Sequence, residues 1–303
     1  MGRLRVGLAV VASSLVLTFA VSSTVAHSGP GSGGPNVGPA APPFPTDGNG
    51  FDPANFGPDS IVVDNRFLPL VPGTRFVYRG SSLDDEGNRI SHSVVFTVTD
   101  LTKEIAGVRT IVGWDRDFSR GELEEEELIF LAQDAEGNVW HLGQYPEHYS
   151  EGQFEGAAPF LVGYLEGAKA GIMMQADPRL DTPAYPEGYA PPPYFWDDHA
   201  RVYRKGQHTC VPAGCYDQVL VTEEFEPTKP GAFQLKFYAP HVGYVRVGWR
   251  GKNEDEREVL VLVEIRQLDA AAMERVRARA YAMEARANVY GLTAPLEPAP
   301  PSG

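Results

Sequence analysis

Cysteine, basic residues and long apolar runs are all scarce in this 303-residue chain, and each scarcity excludes a class of protein. Only 26 lysines and arginines stand against 40 aspartates and glutamates, so the formal net charge is −14. An acidic surface repels phosphate backbones and anionic lipid headgroups, and we therefore predict no nucleic-acid partner. Beyond residue 26 no apolar run approaches the roughly 20 residues of a membrane span, and neither cysteine lies where a lipid would be attached. We therefore predict no membrane anchor.

The first 26 residues combine a basic start with an apolar stretch. Arg3 and Arg5 precede an apolar run from Val6 to about Val21, and small residues close it at 24–26. This order predicts a secretory signal peptide over residues 1–26. The mature chain is then expected to be secreted or periplasmic, where disulfides persist.

The two cysteines, Cys210 and Cys215, enclose the tetrapeptide Val-Pro-Ala-Gly. This spacing suits a hairpin whose facing positions come within disulfide range, so we predict that the two cysteines pair. The short loop limits the gain in stability to roughly 2 kcal/mol. Because the spacing is not Cys-x-x-Cys, a structural staple is favoured over the alternative of a redox-active pair.

Composition divides the remaining chain into four parts. Residues 27–50 are rich in glycine, proline and serine, which predicts a flexible linker. A single β-sheet domain is expected over residues 51–268, followed by an amphipathic helix over 269–291 packed on it and a disordered tail over 292–303. Asp269 can cap the helix and Gly291 can end it.

Alternating apolar residues dominate the predicted domain. In Ser93–Thr99 the side chains of Val94, Phe96 and Val98 share one face, and segments such as Glu127–Ala132 and Glu258–Ile265 are apolar on both faces. Short turn signals separate successive strands, which favours antiparallel pairing. The prediction is therefore a mainly β fold: an antiparallel meander sheet, strongly curved or an open barrel, with one C-terminal α-helix.

The predicted helix has a narrow apolar seam. Its members recur at spacings of three and four: Met273, Val276, Ala280, Met283, Ala287 and Tyr290. Such a seam packs on the sheet, or alternatively joins two copies of the chain as in a coiled coil. A homodimer thus stays open as an alternative.

Several sequence blocks resemble a group of secreted bacterial proteins of unknown function. The resemblance covers roughly residues 60–265, and this chain departs from it at Tyr185–Ala200 and at Cys210 and Cys215. It implies secretion and the extent of the domain, and it assigns no functional residue. The blocks that carry it are Pro69–Tyr78 with its Pro-Gly-Thr, Asp134–Trp140 with its Gly-Asn-Val-Trp, Glu166–Met174, Asp217–Thr222 and Lys236–Val245.

Two segments of the chain contain residues that could bind a ligand or take part in catalysis. A proline-rich region from Ala157 to Gly206 breaks the strand pattern and holds Tyr194 and Trp196 beside Asp197, Asp198 and His199. Long irregular segments of this kind are often binding loops. The other segment runs from Trp140 and His141 through Tyr145 to His148. The candidate ligand-binding residues are Trp140, His141, Tyr145, His148, Tyr194, Trp196 and His199, and His141, His148, Asp197 and His199 are weak candidates for metal ligands.

An acidic run at Glu122 and Glu124–Glu127 is a further feature. Like charges this dense need solvent or a cation, so an exposed strand end is favoured and a calcium site is the alternative.

The function predicted from these features is a secreted ligand- or surface-binding module. Its partner would be a small molecule, glycan or peptide that aromatic faces and carboxylates can contact. An extracellular hydrolase using carboxylate and histidine chemistry or a bound metal is one alternative, and a structural protein that dimerises through the helix is another. The sequence lacks Gly-x-Ser-x-Gly, His-Glu-x-x-His and phosphate-loop motifs, and no cofactor is predicted.

Overall fold

The computed structural model describes residues 50–165, 167–192, 195–287 and 291–300. The predicted signal peptide and nearly all of the predicted linker lie outside these ranges. The described chain is mainly β with one α-helix, as the sequence predicted. None of the helices in these ranges is long and apolar enough to cross a membrane.

Sixteen strands are present in the described ranges. They are β1 (Thr74–Leu83), β2 (Arg89–Ile105), β3 (Val108–Ser119), β4 (Glu122–Gln133), β5 (Val139–Ser150), β6 (Gln153–Ala157), β7 (Phe160–Leu161), β8 (Lys169–Met174), β9 (Tyr185–Pro186), β10 (Gly188–Tyr189), β11 (His199–Val211), β12 (Gly214–Phe225), β13 (Phe233–Ala239), β14 (Gly243–Arg250), β15 (Val259–Gln267) and β16 (Glu297–Pro298). Helix α1 spans Ala270–Arg286, and a short 3-10 helix covers Pro53–Asn55.

The strands form one antiparallel sheet built from two meanders. Strands β1 to β5 pair in succession, β11 to β15 do the same, and the pairing of β1 with β15 joins the two sets. The main path of the sheet begins at β10 and ends at β9, which are separated in the chain by Glu187 alone. Its two edges therefore lie side by side, although β9 and β10 do not pair. The sheet is thus strongly curved and not closed.

Tight turns hold the long hairpins in register. The pairs Ala106-Gly107, Arg120-Gly121 and Glu151-Gly152 all have positive φ at both residues. Two consecutive left-handed residues form the hairpin turn whose twist matches that of the flanking strands, and glycine favours its second position. At the β11–β12 hairpin Cys210 faces Cys215 in the ladder, and the predicted disulfide is present.

The apolar seam of α1 packs on the sheet. Asp269 caps the helix, because its Oδ1 accepts a hydrogen bond of 2.7 Å from the Ala272 amide. The seam residues Met273, Val276, Ala280 and Met283 are all buried within the chain. The seam is therefore covered by the chain's own sheet, which is the first of the two predicted arrangements; Tyr290 lies outside the described residues.

Two segments differ from the sequence-based expectation. Within the tail expected to be disordered, Glu297–Pro298 pairs with β2 and Leu296 is buried. Within the segment expected to be irregular, β11 already begins at His199. Both segments are rich in proline, and the strands β7, β9, β10 and β16 within them are only two residues long, which is too short for a periodic signal.

Candidate functional site

Acidic side chains face each other inside the curved sheet. Asp115 lies opposite Glu127, and Asp117 lies opposite Glu125, on neighbouring strands β3 and β4. All four are 0–3% exposed. We call the face that carries them the inner face, and the face against which α1 packs the outer face. Like charges directly opposite each other are destabilising. The expectation that this acidic run is an exposed strand end is wrong from Glu125 to Glu127, because all three residues are buried.

A histidine and a fifth carboxylate complete this group. His92 Nε2 lies 2.7 Å from Asp117 Oδ1 and 3.7 Å from Glu258 Oε1. Burial, together with the charges of Glu125 and Glu258, raises the pKa of Asp117 well above its usual value. We refer to Asp115, Asp117, Glu125, Glu127, Glu258 and His92 as the acid cluster.

Within the described residues, Glu127 makes no hydrogen bond through its carboxylate, whereas Asp117, whose oxygens also lack hydrogen bonds, at least contacts His92. The residue is 1% exposed, and neither carboxylate oxygen has a hydrogen-bond partner in the described part of the chain. Burial raises the pKa of Glu127 well above its usual value, and Glu125 and Asp115 raise it further. A buried carboxylate without a partner carries the full desolvation penalty. Such a group binds either a proton or a cation.

A second cluster lies where the edges of the sheet meet. The His141 ring contacts the rings of Phe160 and Trp196, with centroids 5.2 and 5.3 Å apart. Trp196 Nε1 donates a hydrogen bond of 2.6 Å to Asp198 Oδ2. The close approach requires Gly188, because a Cβ there would lie 2.0 Å from Trp196 Cζ3. Two predicted site residues, His141 and Trp196, are thus brought together from segments 55 positions apart, and both are buried.

Lys236 connects the two clusters electrostatically. Its Nζ lies 2.5 Å from Glu224 Oε2, and both side chains are 3% exposed. Burial alone would lower the pKa of Lys236, but Glu224 and Glu187 outweigh burial and the pKa lies above its usual value. The charge of Lys236 also partly offsets the rise in the pKa of Glu127 on β4. Side chains from β4 and β13 therefore face one common interior.

The same interior shifts the pKa of two further groups. Burial lowers the pKa of His141 to about 4, so its ring is neutral at pH 7. Burial and the charges of Glu226 and Glu224 raise the pKa of Asp198 to about 7. The interior is thus an environment that disfavours charge and keeps protons on carboxylates near neutral pH.

The Asp198→Asn variant is expected to be more stable than the wild type at pH 8 and equally stable at pH 4. An unfolded aspartate has a pKa of about 3.9, so raising the pH above 4 first ionises the unfolded state. Native stability is therefore lost as the pH rises from about 4 to about 7, by up to about 4 kcal/mol, and is constant once the folded state has also ionised. Asparagine stays neutral, and its Oδ1 still accepts from Trp196. Urea unfolding from pH 4 to 8 measures this, with the half-exposed neighbour Asp197→Asn as control; a difference that does not change with pH would contradict it.

Two of the predicted ligand-binding residues lie away from this interior. Trp140 contacts Phe51 and Phe56, and its Nε1 donates a hydrogen bond of 2.7 Å to Asp134 Oδ2. Tyr145 is buried, and burial followed by Glu147 raises its pKa. Both side chains are packed as structural residues on the outer side.

The remaining predicted residues lie at the margins. His148 is partly exposed, with Nδ1 3.2 Å from Glu125 Oε2, so it borders the acid cluster. His199 stacks on Phe225 and lies 3.6 Å from Asp197. Tyr194 lies outside the described residues. The weak metal candidates do not converge: in the described ranges, the one group of three ligand atoms within 4.8 Å of one another belongs to His208, Cys210 and Cys215.

Sequence reasoning missed Asp115, Asp117, Glu258 and Lys236. A signal for them exists, because Asp115 and Asp117 alternate with Trp114, Arg116 and Phe118 along β3. Polar residues with a period of two inside an apolar strand indicate a polar inner face.

Comparison with known proteins identifies no family. No family model matches the sequence, and no curated protein matches it significantly. A chain from Bacteroides fragilis, described as an exported protein with a YmcC-like fold, is 14% identical with a TM-score of 0.40. A chain from Parabacteroides distasonis, described as a lipoprotein, is 15% identical with a TM-score of 0.31. Each match covers 67% of this chain and 99% of the other.

Proposed function

We propose that the protein is a secreted or periplasmic ligand-binding module whose inner face binds an organic cation. The observation that carries this proposal is Glu127, a buried carboxylate whose two oxygens have no hydrogen-bond partner in the described chain. It lies among four further carboxylates, and Lys236 is the one lysine or arginine of the inner-face residues described above. A cationic ligand would neutralise this excess of negative charge.

The spacing of the carboxylates favours an organic cation over a metal ion. In the described ranges no three residues of the acid cluster place one ligand atom each within 4.8 Å of one another, whereas a calcium ion is bound by six to eight oxygens at about 2.3–2.6 Å. Two tyrosines lie beside the acids. The rings of Tyr78 and Tyr244 stack with centroids 4.3 Å apart, and the charge of Asp115 contributes to raising the pKa of both hydroxyls. Aromatic faces attract ammonium groups.

Neither His141 nor His199 supports the hydrolase alternative as a general base. A general base works best when its pKa is near the operating pH. His141, the histidine that contacts Trp196, has a pKa of about 4 and is fully buried. His199, the other histidine of the aromatic loop, stacks on Phe225 instead of joining it.

The proposal predicts that the full mature chain binds spermidine at pH 8 and that Glu127→Gln weakens this binding about 10–100-fold. The loss corresponds to one charge-assisted hydrogen bond of about 1.5–3 kcal/mol. Glutamine has nearly the shape of glutamate, so the fold is retained and the unliganded variant is expected to be at least as stable. Isothermal titration calorimetry measures the affinity. Glu122→Gln, the same change at an exposed position of the same strand, is the control and should bind like the wild type.

Two outcomes would overturn the proposal. One is a wild type that releases no heat with spermidine or putrescine at pH 8. The other is equal weakening by Glu122→Gln and Glu127→Gln, which would show that net charge alone drives binding. A parallel titration with Ca²⁺ tests the cation class, and Ca²⁺ binding without amine binding would replace the organic cation by a metal.

A further inference from the structure

The tip of the β11–β12 hairpin holds a second group of reactive side chains. Unlike the residues of the inner face, these side chains are exposed. Cys210 and Cys215 are direct partners in the ladder, with Cα atoms 4.0 Å apart. His208 Nε2 lies 3.3 Å from Cys210 Sγ, and His208 Nδ1 lies 2.7 Å from Asp217 Oδ1. The two sulfur atoms and a nitrogen of His208 lie within 4.8 Å of one another.

Asp217 determines which nitrogen of His208 is free to act as a ligand. An ionised carboxylate only accepts hydrogen bonds, so Nδ1 of the neutral ring carries the hydrogen and donates it to Asp217. The lone pair then lies on Nε2, the nitrogen directed at Cys210. A histidine that binds a metal through one nitrogen while the other donates to a carboxylate is the usual arrangement in metal sites.

The disulfide prevents these groups from binding a metal. Metal ligands of this kind are thiolates, and a disulfide sulfur carries no negative charge. Reduction by an external dithiol supplies two electrons and two protons, breaks the S–S bond and forms two thiols, while the dithiol is oxidised to its own disulfide. The ladder pairs on either side, Thr209 with Tyr216 and Val211 with Gly214, hold the two thiols opposite each other.

We propose that the reduced hairpin binds one thiophilic metal ion, Zn²⁺ or Cu⁺, through Cys210, Cys215 and His208, and that the disulfide switches this site off. Two thiolates and one imidazole form a soft ligand set that selects these ions. Binding releases the thiol protons, so no other reactant is needed. Asp217 is a positioning residue that orients His208.

Metal titration of the full mature chain in its reduced and oxidised forms tests the proposal. A chromophoric chelator reports free Zn²⁺ in one series and free Cu⁺, without oxygen, in the other. We expect one metal ion per reduced chain in at least one series and none on the hairpin of the oxidised chain. The oxidised protein retains its inner face, so a difference between the two forms isolates the hairpin. Equal binding by both forms, or none by the reduced form, would overturn the proposal.

Variants of the exposed hairpin assign the ligands. Cys210→Ser with Cys215→Ser should abolish the binding that depends on reduction, and His208→Ala should weaken it more than Asp217→Asn does. For Asp217→Asn we expect a loss of about 10–100-fold, as for other partners of metal-bound histidines. Asp181→Asn, the same change at an exposed carboxylate, should change nothing. Undiminished affinity in His208→Ala would refute the three-ligand site.

Discussion

Replacing Lys236 with methionine is expected to destabilise the protein by about 3–5 kcal/mol at pH 8, the loss typical when one partner of a buried ion pair is removed. Lys236 and Glu224 are both almost fully buried, with Nζ and Oε2 2.5 Å apart. Methionine fills nearly the same volume but removes the charge that compensates Glu224 and the neighbouring Glu187. The effect should be smaller at pH 5 than at pH 8, because the pKa values of Glu187 and Glu224 are raised and protonation removes the charge that Lys236 compensates.

Urea unfolding at pH 5 and pH 8 measures this effect. Lys252→Met, the same change at an exposed lysine, is the matched control and should leave stability unchanged. Adding Glu224→Gln to Lys236→Met should restore part of the stability, because it removes the uncompensated charge. If Lys236→Met unfolds at the same urea concentration as Lys252→Met, the inner face is not the low-dielectric environment that its burial indicates.

The main features of the fold could be predicted because they depend on local patterns. The alternation in Ser93–Thr99 predicted part of β2, and the apolar run in Glu258–Ile265 predicted most of β15. Asp269 marked the start of the helix correctly. The curvature that brings the two edges of the sheet side by side depends on the whole strand order. The sequence indicates this curvature only through the number of strands.

The interior could not be predicted because its energetics are not local. The sequence predicts that the glutamates of β4 are solvent-exposed, since charged residues are rarely buried without partners. In the structure Glu126 is 2% exposed, yet its partner, Arg279, follows 153 positions later. The sequence predicts a contact surface formed by aromatic residues, and among them Trp196 packs on His141 inside the sheet. Three of the glutamates that the sequence places at the surface are therefore buried in the structure.

Deleting residues 269–303 is expected to prevent folding, and not to convert a dimer into a folded monomer. Helix α1 supplies two guanidinium groups to buried carboxylates on the outer face. Arg279 Nε lies 2.8 Å from both carboxylate oxygens of Glu126, and Arg286 Nε lies 2.8 Å from Glu147 Oε1. Glu126 and Glu147 are 2% and 0% exposed. Without the helix both charges lose their cationic partner and keep only the hydrogen bonds from Trp114 to Glu126 and from Tyr149 to Glu147.

The size of this effect follows from the two pairs together. Each uncompensated carboxylate should destabilise the fold by about 3 kcal/mol, the low end for buried pairs because the arginines are more than a third exposed. Loss of the apolar contacts of Val276 and Met283 adds to this, and the total approaches the 5–15 kcal/mol of stability that a typical domain has. Arg279→Met with Arg286→Met isolates the charge contribution of about 6 kcal/mol, and Arg275→Met, at an exposed position of the same helix, is its control. Circular dichroism and light scattering distinguish the outcomes. A truncated chain that keeps its β-sheet spectrum at half the original mass would show instead that α1 joins two subunits.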